Sequence, residues 1–268
     1  MAYTNLPLRY IKEHPHYLDF FLTRKLSPEL GLDAKALDAF PAAWHQKTAR
    51  IFRDAGLRCA VHLPFFDLRP GSLDRLVLQA TRQRLEQAVS TALIYDPAHF
   101  IAHLDYNDIV YSHFKDQWLE NSLATWERVL KQTGDAPLFL ENVFEPGPEH
   151  HVRMLKELGG RAGVCLDLGH WHCFSKGCEL GNLQEWLTAL DPFLLHLHLH
   201  DNDGSADQHR GLGLGTIPWE ELQAWLENRK TPVTATFEPH SREDFLATEA
   251  FLTARPLRIF GHTPRISV

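Results

Sequence analysis

The sequence contains no apolar run long enough to span a bilayer, no Ser/Gly/Pro-rich linker, no internal repeat and no low-complexity segment. The first absence argues against a membrane partner. The others argue for one domain over residues 1–268. Cysteine is scarce, with four residues: Cys59, Cys165, Cys173 and Cys178. A chain of this size does not need disulfides, and no secretory signal is visible at the N-terminus, so the cytoplasm is the expected location. Basic charge is short too. Lys and Arg number 27 against 34 Asp and Glu, a net charge of −7. Nucleic-acid surfaces are usually basic, so this balance argues against a DNA or RNA partner, although bound cations would offset it locally. Oligomeric state is not legible.

Histidine is what the chain has in excess, at 17 residues. His14, His16, His45, His150 and His151 read as surface scatter. The rest gather near the ends of apolar runs, which scatter does not produce.

Eight short strand candidates alternate with helical stretches: Leu6–Lys12, Tyr17–Leu22, Leu57–Leu63, His99–Leu104, Pro137–Val143, Ala162–Leu168, Phe193–Asp201 and Pro232–Glu238. The first two are the least regular, because the connection between them is too short for a helix. After Ser72, a candidate N-cap, Leu76, Val77, Ala80, Ala88, Val89 and Ala92 recur at helical spacing. Trp118, Leu119, Leu123, Trp126, Val129 and Leu130 form a second stripe that ends before Gly134. Alternation of this kind predicts a parallel sheet, and 268 residues suit a single α/β (β/α)8 TIM barrel. Cys59 and Cys165 fall inside strands as core thiols, whereas Cys173 and Cys178 sit in a loop beside His172, where a labile or metal-binding role stays open.

One strand is especially informative. With a period of two, Leu195, Leu197 and Leu199 face the outer helices, and His196, His198 and His200 face the barrel interior. Three inward imidazoles need donors, acceptors or a cation, because an unpaired buried polar group is costly. Nearby, Asp207-Gln208-His209 sets a carboxylate and an imidazole two residues apart. The glycines of Gly211-Leu212-Gly213-Leu214-Gly215 permit sharp turning, with a phosphate cradle as the alternative.

Nine residues of metal-binding type lie at or just beyond six of these run ends: His62, His103, Glu141, Asp167, His170, His198, Asp207, His209 and Glu238. A closed barrel brings all its strand ends to one mouth, so the set predicts a polynuclear metal site at the C-terminal mouth. Oxygen and imidazole donors without thiolate suit zinc, manganese or iron.

In this order the residues resemble the metal framework of the xylose isomerase-like TIM-barrel superfamily. The closest pattern is that of endonuclease IV (AP endonuclease family 2). His62 in Val61-His62-Leu63-Pro64, His103 in Ala102-His103-Leu104 and Glu141-Asn142 match the first ligands and the bridging carboxylate. Cys165-Leu166-Asp167-Leu168-Gly169-His170 resembles the family's Cys-Ile-Asp-Thr-Cys-His. His198-Leu199-His200-Asp201 resembles its His-Leu-Asn-Asp, Asp207-Gln208-His209 its Asp-x-His, and Glu238 its last glutamate. The resemblance implies two to three divalent ions per chain. His62, His103 and Glu141 would hold one; Glu141, Asp167, His198 and Glu238 a second; His170, Asp207 and His209 a third.

The sequence departs from the DNA-repair pattern. It has no counterpart of the arginine-bearing loop that enters abasic DNA and no Tyr-Leu wedge after the first histidine. The segment Pro64-Phe65-Phe66-Asp67-Leu68-Arg69-Pro70-Gly71-Ser72 looks more like the superfamily's small-molecule members, which include cobamide-remodelling phosphodiesterases and sugar phosphate isomerase/epimerase-like proteins. The expected activity is therefore hydrolysis of a phosphoester, preferably a phosphodiester, in a small phosphorylated or sugar-containing substrate. The alternative is a sugar or sugar-phosphate isomerase or epimerase with Glu141 and Glu238 as acid and base. Endonuclease IV-type DNA repair and a barrel that only binds a ligand rank below these. Candidate substrate contacts are Arg69, Trp171, His172, His200 and Arg210, with Phe174 beside them; guanidinium suits phosphate geometry.

Overall fold

The computed structural model describes residues 2–259. Eight parallel strands close into a barrel: Ala2–Pro7 (β1), Pro28–Gly31 (β2), Ala60–His62 (β3), Phe100–His103 (β4), Leu138–Glu141 (β5), Ala162–Asp167 (β6), Leu194–Leu199 (β7) and Thr234–Phe237 (β8). They pair in sequence order, and β1 closes the ring onto β8. Helices cover the outside, so both faces of each strand are buried. Runs such as Phe100-Ile101-Ala102 are accordingly almost unbroken in their apolarity.

The last six strand expectations are met in place and order. The first two are not. Leu8–Glu13 and His16–Arg24 are helices, and the second strand is the short segment Pro28–Gly31. Tyr17–Leu22 has a mixed apolar pattern that is too short for periodicity to separate strand from helix. The helix Arg75–Ala92 is capped by Asp74, whose carboxylate accepts from the N–H groups of Leu76 and Val77; the Ser72 hydroxyl instead accepts from Asp74 N and donates to Asp74 O. Its buried stripe is Leu78, Thr81, Leu85, Ala88, Val89 and Ala92, while Leu76, Val77 and Ala80 face outward. The stripe on Lys115–Thr133 is seated as expected around Trp118, Trp126 and Val129, and Gly134 follows it at φ 62°.

Most of the core lies between barrel and helices, with Trp118, Trp126, Trp171 and Trp186 fully buried. A second, small cluster of Ile101, Phe139 and Cys165 stands apart from it. Two residues further along each of these strands are His103, Glu141 and Asp167, so the period of two puts all six on one face. Register completes the arrangement. His103 pairs with Glu141, Asp167 with His198, and His198 with Thr236. A register shift between Val164 and Cys165 lets β7 slip past β6, and Leu195 is left 38% exposed instead of packing under a helix.

Three histidines expected at the surface are buried. His45 bonds Tyr95 Oη and the Ala36 carbonyl, His150 stacks on Tyr106 at 3.6 Å, and His151 is fully enclosed. His14 and His16 are exposed. No helix among the described residues is long and apolar enough to cross a membrane.

Candidate metal centre

All nine donor candidates converge at the C-terminal mouth, in three groups. His62 Nε2 lies 2.9 Å and His103 Nε2 3.5 Å from Glu141 Oε2. On the other side, His198 Nδ1 lies 3.2 Å from Glu141 Oε1, 3.5 Å from Glu238 Oε1 and 3.8 Å from Asp167 Oδ2. In the third group, Asp207 Oδ2 lies 3.0 Å from His209 Nε2 and 3.3 Å from His170 Nε2. Donors around a tetrahedral ion with bonds of about 2.1 Å stand roughly 3.4 Å apart, so these separations fit.

Each group is held from behind. Asp167 caps the short helix Leu168–Cys173 through His170 N at 2.7 Å, which fixes His170 one turn away. Asn142 accepts from Asp167 N at 2.8 Å and donates to its carbonyl. The loop bearing Asp207 and His209 is anchored by Asp201, which accepts from Gly213 N, Ile217 N and the Trp219 indole N–H. Gly211 N goes to Asp244. The glycine run therefore serves turning. A Cβ at Gly215 would meet Asn202 O at 2.2 Å, and two of the loop's N–H groups are already bound by Asp201 and Asp244 rather than available to a phosphate. His209 sits at φ 48°, a conformation that costs a non-glycine residue on the order of 1–3 kcal/mol and is tolerated where the surroundings impose it.

Burial pushes Glu141 and Asp167 upward, but the facing imidazoles outweigh it. His198 and His103 hold Glu141 well below the usual range, and His170 and His200 do the same for Asp167. Burial pushes His209 down, yet its bond to Asp207 and the charge of Glu238 lift it to about 9. His170 and His198 are raised in the same way by their carboxylates. Glu238 moves upward, chiefly through burial, and burial drives His103 down to about 3. Ionised carboxylates thus face imidazoles whose protons a divalent cation would displace. The donor set fits such an ion: His198 Nδ1 and Asp207 Oδ1 are buried without a hydrogen-bond partner although carboxylates or imidazoles surround them. Cys165 touches His198, but burial keeps its thiol far above the thiolate range.

The substrate candidates fare unevenly. Trp171 is a packing residue. It is buried against Gly177, and its indole N–H bonds Asn182. His172 is buried against Thr216 Oγ1 and Gly204. Arg210 pairs with Asp203 and the Leu214 carbonyl. Arg69 pairs with Asp105 at 2.5 Å, and its side chain is about half exposed. His200 is 1% exposed and reaches Asp167 Oδ1 at 3.2 Å and Asp207 Oδ1 at 3.6 Å, which ties the second group to the third. Cys173 and Cys178 are free thiols that burial pushes up to about 12 and about 11, so neither is an activated thiolate. Phe174 lies 5.5 Å from His170 and 5.1 Å from Phe144, and Phe65 stacks on His103 at 4.2 Å. Two aromatic pairs thus flank the mouth.

Sequence reasoning missed Glu29, His99 and His240. Glu29 is buried beneath His198, on a strand that the apolar pattern alone places elsewhere. His99 stands two residues before Ile101 on the same inward face, a signal the period of two carries. His240 stacks on His209 at 3.8 Å, just past β8.

A curated relative, the uncharacterized protein MJ1311 of Methanocaldococcus jannaschii, is 27% identical over 174 residues. That match covers 60% of this chain and 57% of the relative, so the two share little more than half the relative's length. Among solved structures, the TTHB071 protein from Thermus thermophilus, soaked with ZnCl2, superposes with a TM-score of 0.74 at 27% identity, covering 94% of this chain and 96% of that one. A D-tagatose 3-epimerase-like protein gives 0.77 at 19% identity, with coverage of 94% and 96%. Endonuclease IV from Thermus thermophilus gives 0.69 at 18%, with coverage of 94% and 99%. The last two likenesses are of fold. With the family model matched over residues 25–257, the chain belongs to the xylose isomerase-like TIM barrel family.

Proposed function

We propose that this protein is a metal-dependent phosphoester hydrolase, with phosphodiesters preferred, acting on a small phosphorylated or sugar-containing molecule through a centre of two to three divalent ions. The observation that carries the reading is Glu141. One of its oxygens serves His62 and His103 and the other serves His198, so a single carboxylate spans two donor groups. A one-ion site has no use for His62, His103, Asp207 and His209. Ions of this kind supply Lewis-acid charge and a nucleophile available near neutral pH. The protein's part is placement. Glu141 orients the attacking water between the first two groups. Asp207, His170 and His209 fix the third corner of the mouth. Phe65 beside His103 and Phe174 beside His170 offer apolar surface to a substrate at the mouth. Arg69, half exposed and paired with Asp105, is the candidate guanidinium for a phosphate. The acidic net charge of −7 disfavours duplex DNA.

A second reading, sugar or sugar-phosphate isomerisation or epimerisation, draws support from the two glutamates brought together in one donor group. Both carboxylates face His198 Nδ1, Glu141 at 3.2 Å and Glu238 at 3.5 Å, and two carboxyls across one group suit base and acid. The second donor group alone would serve it.

Elemental mass spectrometry of protein purified without chelator or histidine tag decides between them. About two to three equivalents of zinc, manganese or iron per chain support the hydrolase. One equivalent, unchanged in excess metal, overturns it and favours the isomerase.

A further inference from the structure

A metal-binding histidine has a second ring nitrogen, and the partner of that nitrogen sets tautomer, orientation and donor strength. In three of the mouth histidines it meets a backbone carbonyl. His62 Nδ1 lies 2.8 Å from Leu63 O, His170 Nδ1 2.9 Å from Asn142 O, and His209 Nδ1 3.0 Å from Glu238 O. His198 is different. Its Nδ1 faces Glu141, Asp167 and Glu238, and its Nε2 lies 3.1 Å from Glu29 Oε1, deeper in the barrel. Both residues are buried, and neither of these two atoms has a hydrogen-bond partner elsewhere. Their approach is close but oblique.

Glu29 is itself fixed. Its Oε2 accepts from Thr236 Oγ1 at 2.6 Å. With that hydroxyl proton committed, Thr236 Oγ1 accepts from His196 Nε2 at 2.9 Å, and Thr234 Oγ1 donates to His196 Nδ1 at 2.5 Å. His99 Nε2 stands 4.0 Å away on the remaining side.

We infer that Glu29 is a positioning residue for the second donor group. It takes the Nε2–H of His198, aims Nδ1 at the space shared by Glu141, Asp167 and Glu238, and makes that imidazole the strongest nitrogen donor in the mouth. A full carboxylate charge polarises an N–H more than a carbonyl does, and burial leaves the effect poorly screened. The second group therefore holds its ion most tightly. This inference rests on the ion-binding reading above.

The test is a zinc titration of apo protein against a chromophoric chelator. Asp167→Asn identifies the step that belongs to the second group, and His62→Ala and Asp207→Ala identify the other two. Glu29→Gln, which keeps the shape and removes the charge, weakens the Asp167 step roughly 10- to 100-fold and leaves the other steps within about twofold. The apo melting temperature stays close to wild type. Thr236→Val weakens the same step by less, and decides the matter alone if Glu29→Gln does not fold. Unchanged affinity in folded Glu29→Gln overturns the inference while leaving the metal centre intact, and so does equal weakening of every step. A wild type that binds no zinc overturns both.

Discussion

Glu141 turns Oε2 to within 2.9 Å of His62 Nε2 and so commits only half of its carboxylate to that side of the mouth. The other half serves His198. A group shared in this way cannot be lost without disturbing both sides.

On the hydrolase reading, Glu141→Gln therefore releases the two ions that would share it, while the group of His170, Asp207 and His209 would keep its own. If the proposed phosphodiester hydrolysis is the activity, turnover falls by about 10³-fold, the scale of losing a principal electrostatic contributor. Metal content and rate are measured on the same preparation. A variant retaining the wild-type metal complement contradicts the bridging role.

Replacing Asp207 and His209 together by alanine removes a carboxylate, an imidazole and one ion. A hydrolase that uses the third group loses nearly all activity. An isomerase that uses only the second group keeps its kcat and shows a raised KM. Steady-state kinetics with both substrate classes separates the outcomes.

Asp201 accepts four N–H groups, from Asn202, Gly213, Ile217 and the Trp219 indole. Asp201→Ala strands them in a buried place and destabilises the protein by about 3 kcal/mol. The loop that carries Asp207 and His209 loosens with it, so an ion held by the third group would leave first on dilution into chelator. Denaturant unfolding and metal release are the two readouts.

Glu145 supplies a pH dependence independent of the donor groups. It is buried and accepts from Val143 N and Tyr106 N, and burial lifts its carboxyl to about 7. A carboxyl raised on folding contributes stability that is fully present below its unfolded value and is lost as pH rises through the folded one. Relative to Glu145→Gln, the wild type therefore loses on the order of 3 kcal/mol between about pH 4.5 and pH 7. Parallel unfolding free energies across that window would exclude the effect.

Much of this was legible along the chain because the relevant pattern is local. A period of two inside β7 put His196 and His198 on one face, and apolar runs ending on His103, Glu141, Asp167 and Glu238 marked strand tips that a barrel must gather. The same local logic failed at Tyr17–Leu22, where a few apolar residues fit helix and strand equally well, and that error hid Glu29 on β2.

The sequence by itself pointed to the barrel, its strand order after β2 and nine candidate donors, because alternation and spacing are properties of neighbouring residues. The division of those candidates into three groups came with the family resemblance, and only the tertiary structure decided what stands behind each group. The Thr236–Glu29 bond joins residues 207 positions apart, and the carbonyls and the carboxylate behind the mouth histidines are chosen by barrel closure and strand register. Trp171 shows the converse. It lies next to His170 in sequence, but one step along a helix turns a side chain by about 100°, and the fold buries it against Gly177.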